Sequence, residues 1–217
     1  MPRSHDTSSL LTTYVQMLNR FKLIWFGIFY LLANSASAAQ KTTEQLTLEI
    51  PVGWVKAVDK HVGELTVNEY FPEDTTADWQ QKITIEALQT PELPDALHYA
   101  QAMVDQQEAL CDEFSHNNIF SGFENQYPTV VKLIQCGRNR NTHRPLVTLS
   151  KVIQGNHKLY TITRIWRLAA DQTPQELLNQ PQFSAWANLL KDMQLCDPSL
   201  DAHPCTKKSR PDKTNQK

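Results

Sequence analysis

The sequence lacks a dominant charge: 217 residues carry 21 basic and 23 acidic side chains. That balance argues against broad nucleic-acid binding, which depends on surplus cations to neutralise phosphates. It also lacks an apolar run of the roughly 20 residues that a membrane-spanning helix requires. Gly-x-Ser-x-Gly is absent, which removes the nucleophile elbow of hydrolases built on that motif. The spacings His-x-His, His-Glu-x-x-His and Cys-x-x-Cys are absent as well, and with them the common zinc signatures. No cofactor motif is found.

What the chain does have is an export signal. Arg20 and Lys22 precede the apolar run Leu23 to Leu32, and Ser35-Ala36-Ser37-Ala38-Ala39 follows. Ala36-x-Ala38 has the small side chains that a signal peptidase admits, so residues 1–38 are expected to be a cleavable Sec-type signal and the mature protein periplasmic. The alternative is an uncleaved signal that anchors the chain to the inner membrane. Met17 competes with Met1 as the start, and no cysteine adjoins the cut, which argues against a lipoprotein. The mature part holds 18 basic and 22 acidic residues. It divides into one expected domain at 44–196 and a flexible basic tail at 197–217 that carries a small disulfide loop.

Four cysteines, Cys111, Cys136, Cys196 and Cys205, lie in that mature part. In an oxidising compartment they read as two bridges with three connectivities open. The favoured pairs are Cys111–Cys136, tying a helix end to a later strand, and Cys196–Cys205, closing a short loop; free buried thiols are the alternative.

Alternation of apolar and polar residues predicts strands at 46–50, 65–71 and 82–88. Asp95 is placed to cap a helix running to about Glu113. A short strand at 119–123 follows the polar pair Asn117-Asn118, then a turn at 125–128 and a mostly apolar strand at 130–136. The clearest hairpin joins Leu146–Ile153 to Leu159–Trp166 through Gly155-Asn156. Thr173 before Pro174 opens a short helix, and Phe183, Trp186, Leu189, Leu190 and Met193 mark an amphipathic helix ending near Leu195. Strands interrupted by helices give an α+β class, an antiparallel sheet covered by helices.

Candidate chemistry is sparse. Ser115-His116 with Asp112 and Glu113 reads as a polar turn, since a nucleophile and its base must meet in space. The six mature histidines, His61, His98, His116, His143, His157 and His203, are scattered. Glu69, Glu73, Asp74 and Asp78 lack the glycine and terminal glutamate of a calcium loop. Arg138, Arg140 and Arg144 crowd one segment with His143 and are the candidate anion or partner contact, because arginine binds carboxylate and phosphate in a bidentate way. Lys207, Lys208, Arg210, Lys213 and Lys217 give the tail a means of weak contact with a membrane surface.

Ile50-Pro51-Val52-Gly53-Trp54, Asn68-Glu69-Tyr70-Phe71-Pro72 and Trp79 before a strand together resemble PsbP/Mog-like domains over most of residues 44–195. The resemblance implies an α/β/α sandwich around an antiparallel sheet and a non-catalytic binding or assembly role. The stretches Glu124 to Leu133 and Lys151 to Asn156 are similar to the EirA-type periplasmic proteins, essential for intracellular replication in gammaproteobacteria. The expectation is a non-enzymatic periplasmic accessory protein that binds an envelope protein or complex and supports intracellular replication or a secretion system. A small-molecule or lipid carrier and an unrecognised hydrolase are the alternatives. Partner identity and oligomeric state are not legible in the residues.

Overall fold

The computed structural model describes residues 43–75 and 78–205. The expected signal and the tail beyond Cys205 lie outside the described residues. The strands are β1 (Gln45–Thr47), β2 (Trp54–Val62), β3 (Leu65–Pro72), β4 (Gln81–Leu88), β5 (Cys111–Glu124), β6 (Tyr127–Asn139), β7 (Leu146–Gln154), β8 (Leu159–Arg167) and β9 (Gln194–Cys196). The helices are α1 (Ala96–Glu108), α2 (Pro174–Leu178) and α3 (Pro181–Asp192). Seven strands form one antiparallel sheet in the order β2-β3-β4-β8-β7-β6-β5, and β1 pairs with β9 in a separate ribbon. After β4 the chain crosses one face as α1 and re-enters at the far edge as β5, so β6, β7 and β8 fill the gap back to β4.

Strand alternation gives the sheet two buried faces. Val131, Leu133, Val147, Leu149, Ile162 and Trp166 form one core with Leu177, Trp186 and Leu190 of α2 and α3. Val130, Val152 and Leu159 pack on Ala96 and Ala100 of α1. Helices therefore cover both faces, the α+β arrangement expected from the residues. The Asp95 carboxylate accepts from the amides of Leu97 and His98, and Thr173 and Glu176 form a reciprocal capping box at α2. Both caps are legible locally.

Several boundaries differ from the sequence expectation. The first helix stops at Glu108 rather than Glu113, because Cys111 already pairs with Asn139 across β5 and β6. Residues 111–124 are one long edge strand rather than a polar turn and a short strand; Asn117 and Asn118 sit inside it, beside a bulge between Asn118 and Phe120. An edge strand with most side chains exposed has no buried face to impose an apolar period. Strand β2, another edge, gives no periodic signal for the same reason. The last helix ends at Asp192, and residues 194–196 leave it to pair with β1. The hairpin of β7 and β8 matches its expectation, and so does the turn before β6, where Asn125 and Gln126 both take positive φ, 48° and 66°. The bridges are Cys111–Cys136 and Cys196–Cys205, the favoured pairs.

Candidate functional site

The C-terminal end of β8 reads Arg164-Ile165-Trp166-Arg167, and pleating sends Arg164 and Trp166 to the α3 face and Arg167 to the α1 face. Arg164 thus enters the main core. Its guanidinium lies 4.7 Å from the Trp54 ring, 4.8 Å from Trp166 and 5.0 Å from Trp186. Each stacking contact contributes about 0.5–2 kcal/mol, most when desolvated. Arg164 is 8% exposed, and this burial lowers its pKa to about 10. Its Nη2 donates to Gln81 Oε1 on β4. Among the described residues no carboxylate reaches it, and its Nε has no acceptor. The indole N–H groups of Trp166 and Trp186 and the Nε of Arg167 share that condition.

On the other face, Arg167 stacks on Trp79 at 3.9 Å, while Lys82 lies 5.3 Å from the same ring and Phe71 meets it edge-on at 6.2 Å. Asp78 joins two cations, pairing with Arg167 Nη1 at 3.1 Å and Arg144 Nη1 at 3.0 Å. Lys82 pairs with Glu69 at 2.5 Å. Burial raises the pKa of nearby Glu86, and the charge on Lys82 pulls it the other way.

Two clefts open at this end. One of 320 Å³ is lined by Gln80, Gln81, Trp166, Arg167, Gln180 and Gln182, among others. One of 380 Å³ runs from Pro72 and Asp74 past Asp78 to the same Gln80 and Gln81. Side-chain amides and charges dominate both linings. Such walls suit a polar ligand or a peptide; a lipid site is mostly apolar.

The three arginines singled out in the sequence lie at the same end but in different surroundings. Arg138 is exposed on β6. Arg140 donates to Asp112 Oδ1 at 3.0 Å and to the Ala109 carbonyl at the end of α1 at 2.9 Å. Arg144 donates to the Leu168 carbonyl at 2.7 Å and pairs with Asp78. Ser115 and His116 are consecutive residues of β5, so their side chains point to opposite faces. Among the described residues no three His, Cys, Asp or Glu side chains gather as metal ligands, and no helix is long and apolar enough to cross a membrane. Sequence reasoning missed Arg164. Its signal was there: a cation in phase with Tyr160, Ile162 and Trp166 on an alternating strand.

Against known proteins, no family model matches the chain and no curated protein matches it. Among solved structures it is similar to the Saccharomyces cerevisiae Ran-binding protein Mog1p, with 14% identity and a TM-score of 0.48 over 71% of this chain and 92% of that one. It is also similar to LpqN, involved in cell envelope biogenesis of Mycobacterium tuberculosis, with 10% identity and a TM-score of 0.46 over 73% and 86% of the two chains. A Pseudomonas aeruginosa protein of unknown function follows at 15% identity and 0.38, over 68% and 94%. The α+β architecture itself rests on the strand pairing described above.

Proposed function

We propose that this chain is an exported, non-enzymatic accessory protein that binds another protein of the cell envelope through the arginine–tryptophan end of its sheet. The observation that carries the reading is the concentration there of stacked guanidinium groups, unpaired N–H donors and two polar clefts sharing Gln80 and Gln81. Buried polar groups without partners are uncommon in folded proteins, and a bound group is one explanation for a cluster of them. Export is supported by the signal in residues 1–38 and by two disulfides, which persist in oxidising compartments. The EirA-type resemblance supplies the setting, support of an envelope machine needed for intracellular replication. No observation favours the hydrolase alternative, and the clefts favour a peptide over a lipid.

Site-specific photocrosslinking in the native host tests this reading. A crosslinker replacing Gln80, which is exposed beside both clefts, should capture one recurrent envelope protein. The same group replacing Val62, 66% exposed at the far end of β2, should not. Equal capture from both positions, or none from position 80, overturns the assignment.

A further inference from the structure

The arginine–tryptophan end has donors in excess of acceptors. Arg140, Arg144 and Arg167 each face a carboxylate. Arg164, far more buried than Arg140, does not; its hydrogen bond goes to the neutral Oε1 of Gln81. A buried cation without a counter-charge is costly. The three rings around Arg164 offset part of that cost but leave its Nε unpaired. An amide oxygen is the neutral isostere of a carboxylate oxygen, and Gln81 lines both clefts, one of them beside Trp166 and Arg167.

We infer that the 320 Å³ cleft takes a carboxylate carried by a peptide segment of the partner, which displaces the Gln81 amide from Arg164 and accepts from the unpaired indole N–H of Trp166 on the same face of the sheet. The inference rests on reading this end as the docking surface and adds the chemistry recognised there. Charge-assisted hydrogen bonds to guanidinium are roughly twice as strong as neutral ones. Hence a carboxylate outcompetes the internal amide, whereas an amide ligand has no advantage over it. Gln81 then acts as a neutral placeholder that keeps the guanidinium oriented while the cleft is empty of partner.

The disulfide-intact mature protein, labelled to show its indole N–H resonances, is titrated with three probes: the capped peptide acetyl-Gly-Asp-Gly-amide, its Asn counterpart, and acetate. The Asp peptide should shift the Trp166 and Trp186 indole signals and raise Tm, the Asn peptide should do neither, and acetate should act more weakly than the Asp peptide. Indistinguishable Asp and Asn peptides overturn the inference; acetate equal to the Asp peptide overturns its peptide part. Gln81→Glu supplies the carboxylate internally. It should raise Tm by about 2–4 °C and abolish the response to the Asp peptide, whereas an unchanged or lower Tm counts against the inference. If position 80 still captures the envelope partner while the peptides fail to discriminate, the docking role stands and the carboxylate chemistry falls. If the peptides discriminate but position 80 captures nothing, the carboxylate chemistry stands and the docking role falls.

Discussion

The two ends of the sheet treat their polar groups in opposite ways. At the end formed by the 125–126 and 155–158 turns, most polar groups are matched internally, the buried Tyr127 hydroxyl being the exception. The Glu44 carboxylate accepts from the amides of Asn156 and His157 in the β7–β8 turn. Thr43 donates to Asp197 at 2.5 Å, and hydrogen bonds from Ser199 and Thr43 hold the Asp197 carboxyl below its ordinary range. Asn125 donates to the Leu195 carbonyl, and His203 stacks on Tyr127 at 4.0 Å. Lys151, fully buried, pairs with Glu124 and donates to the carbonyls of Leu190 and Met193, which closes the C-terminus of α3. Two residues farther along the paired strand β8, toward the other end, Arg164 is also buried in the core, yet no carboxylate pairs with it among the described residues. The contrast separates a buried cation paired within the fold from one held only by rings and an amide.

Matched substitutions sharpen that comparison most. Lys151→Met breaks an ion pair and uncaps two helix carbonyls, which should cost about 3–5 kcal/mol and lower Tm by roughly 6–20 °C. Arg164→Met breaks no ion pair and replaces a buried cation by a side chain suited to its tryptophan surroundings, so its loss should be less than half as large. Equal losses measured by chemical denaturation would mean that Arg164 is as structural as Lys151, and the contrast between the ends would vanish.

The matched end can be probed next through one close approach. A Cβ on Gly155 would stand 2.7 Å from Glu44 Oε2 and 2.9 Å from the Lys158 carbonyl. Gly155→Ala should therefore cost about 1–3 kcal/mol through overpacking. In a Glu44→Ala background only the part of that cost due to the Glu44 carboxylate should disappear, since the approach to the Lys158 carbonyl remains. Additive losses in the double-mutant cycle would show that Glu44 does not hold this turn.

The smallest effect concerns alkaline pH, where the two ends pull in opposite directions. Burial first, then the Glu44 charge, raises the phenols of Tyr127 and Tyr160 above their ordinary 10. The folded chain keeps these protons after the unfolded chain has lost them. Their stabilisation is complete below pH 10 and fades as the pH rises beyond it. Arg164 runs the other way: with its pKa lowered from 12.5 to about 10, the folded chain releases the proton first, and stability gains with pH between those values. Two phenols outweigh one guanidinium, so denaturation midpoints should fall above pH 10. Tyr127→Phe with Tyr160→Phe should level or reverse that limb; an unaltered slope would show that neither phenol is responsible.

Much of the fold was open to reading wherever a segment's own neighbours decide its state. The β7–β8 hairpin was legible because its two strands are mid-sheet and buried along nearly their whole length, so both are rich in apolar residues, with Gly155-Asn156 between them. The edges were illegible. Along β5, Asp112, Glu113, His116, Asn117 and Asn118 point to solvent, so the pattern resembles a loop although the backbone is paired. The site was half legible: Arg140 and Arg144 were picked out by their crowding, whereas Arg164 stood alone among apolar neighbours. A single charge in a strand does not reveal whether its counter-ion waits elsewhere in the chain.

By itself the sequence determined the α+β class, the caps at Asp95 and Thr173 and the central hairpin, and it carried the export expectation. Each rests on side chains a few residues apart, where periodicity and capping act. Tertiary structure decided which buried cation is paired and which is not, and it joined β1 to β9 across about 150 residues of chain. Burial and charge pairing depend on what packs from distant segments, and that information is not local.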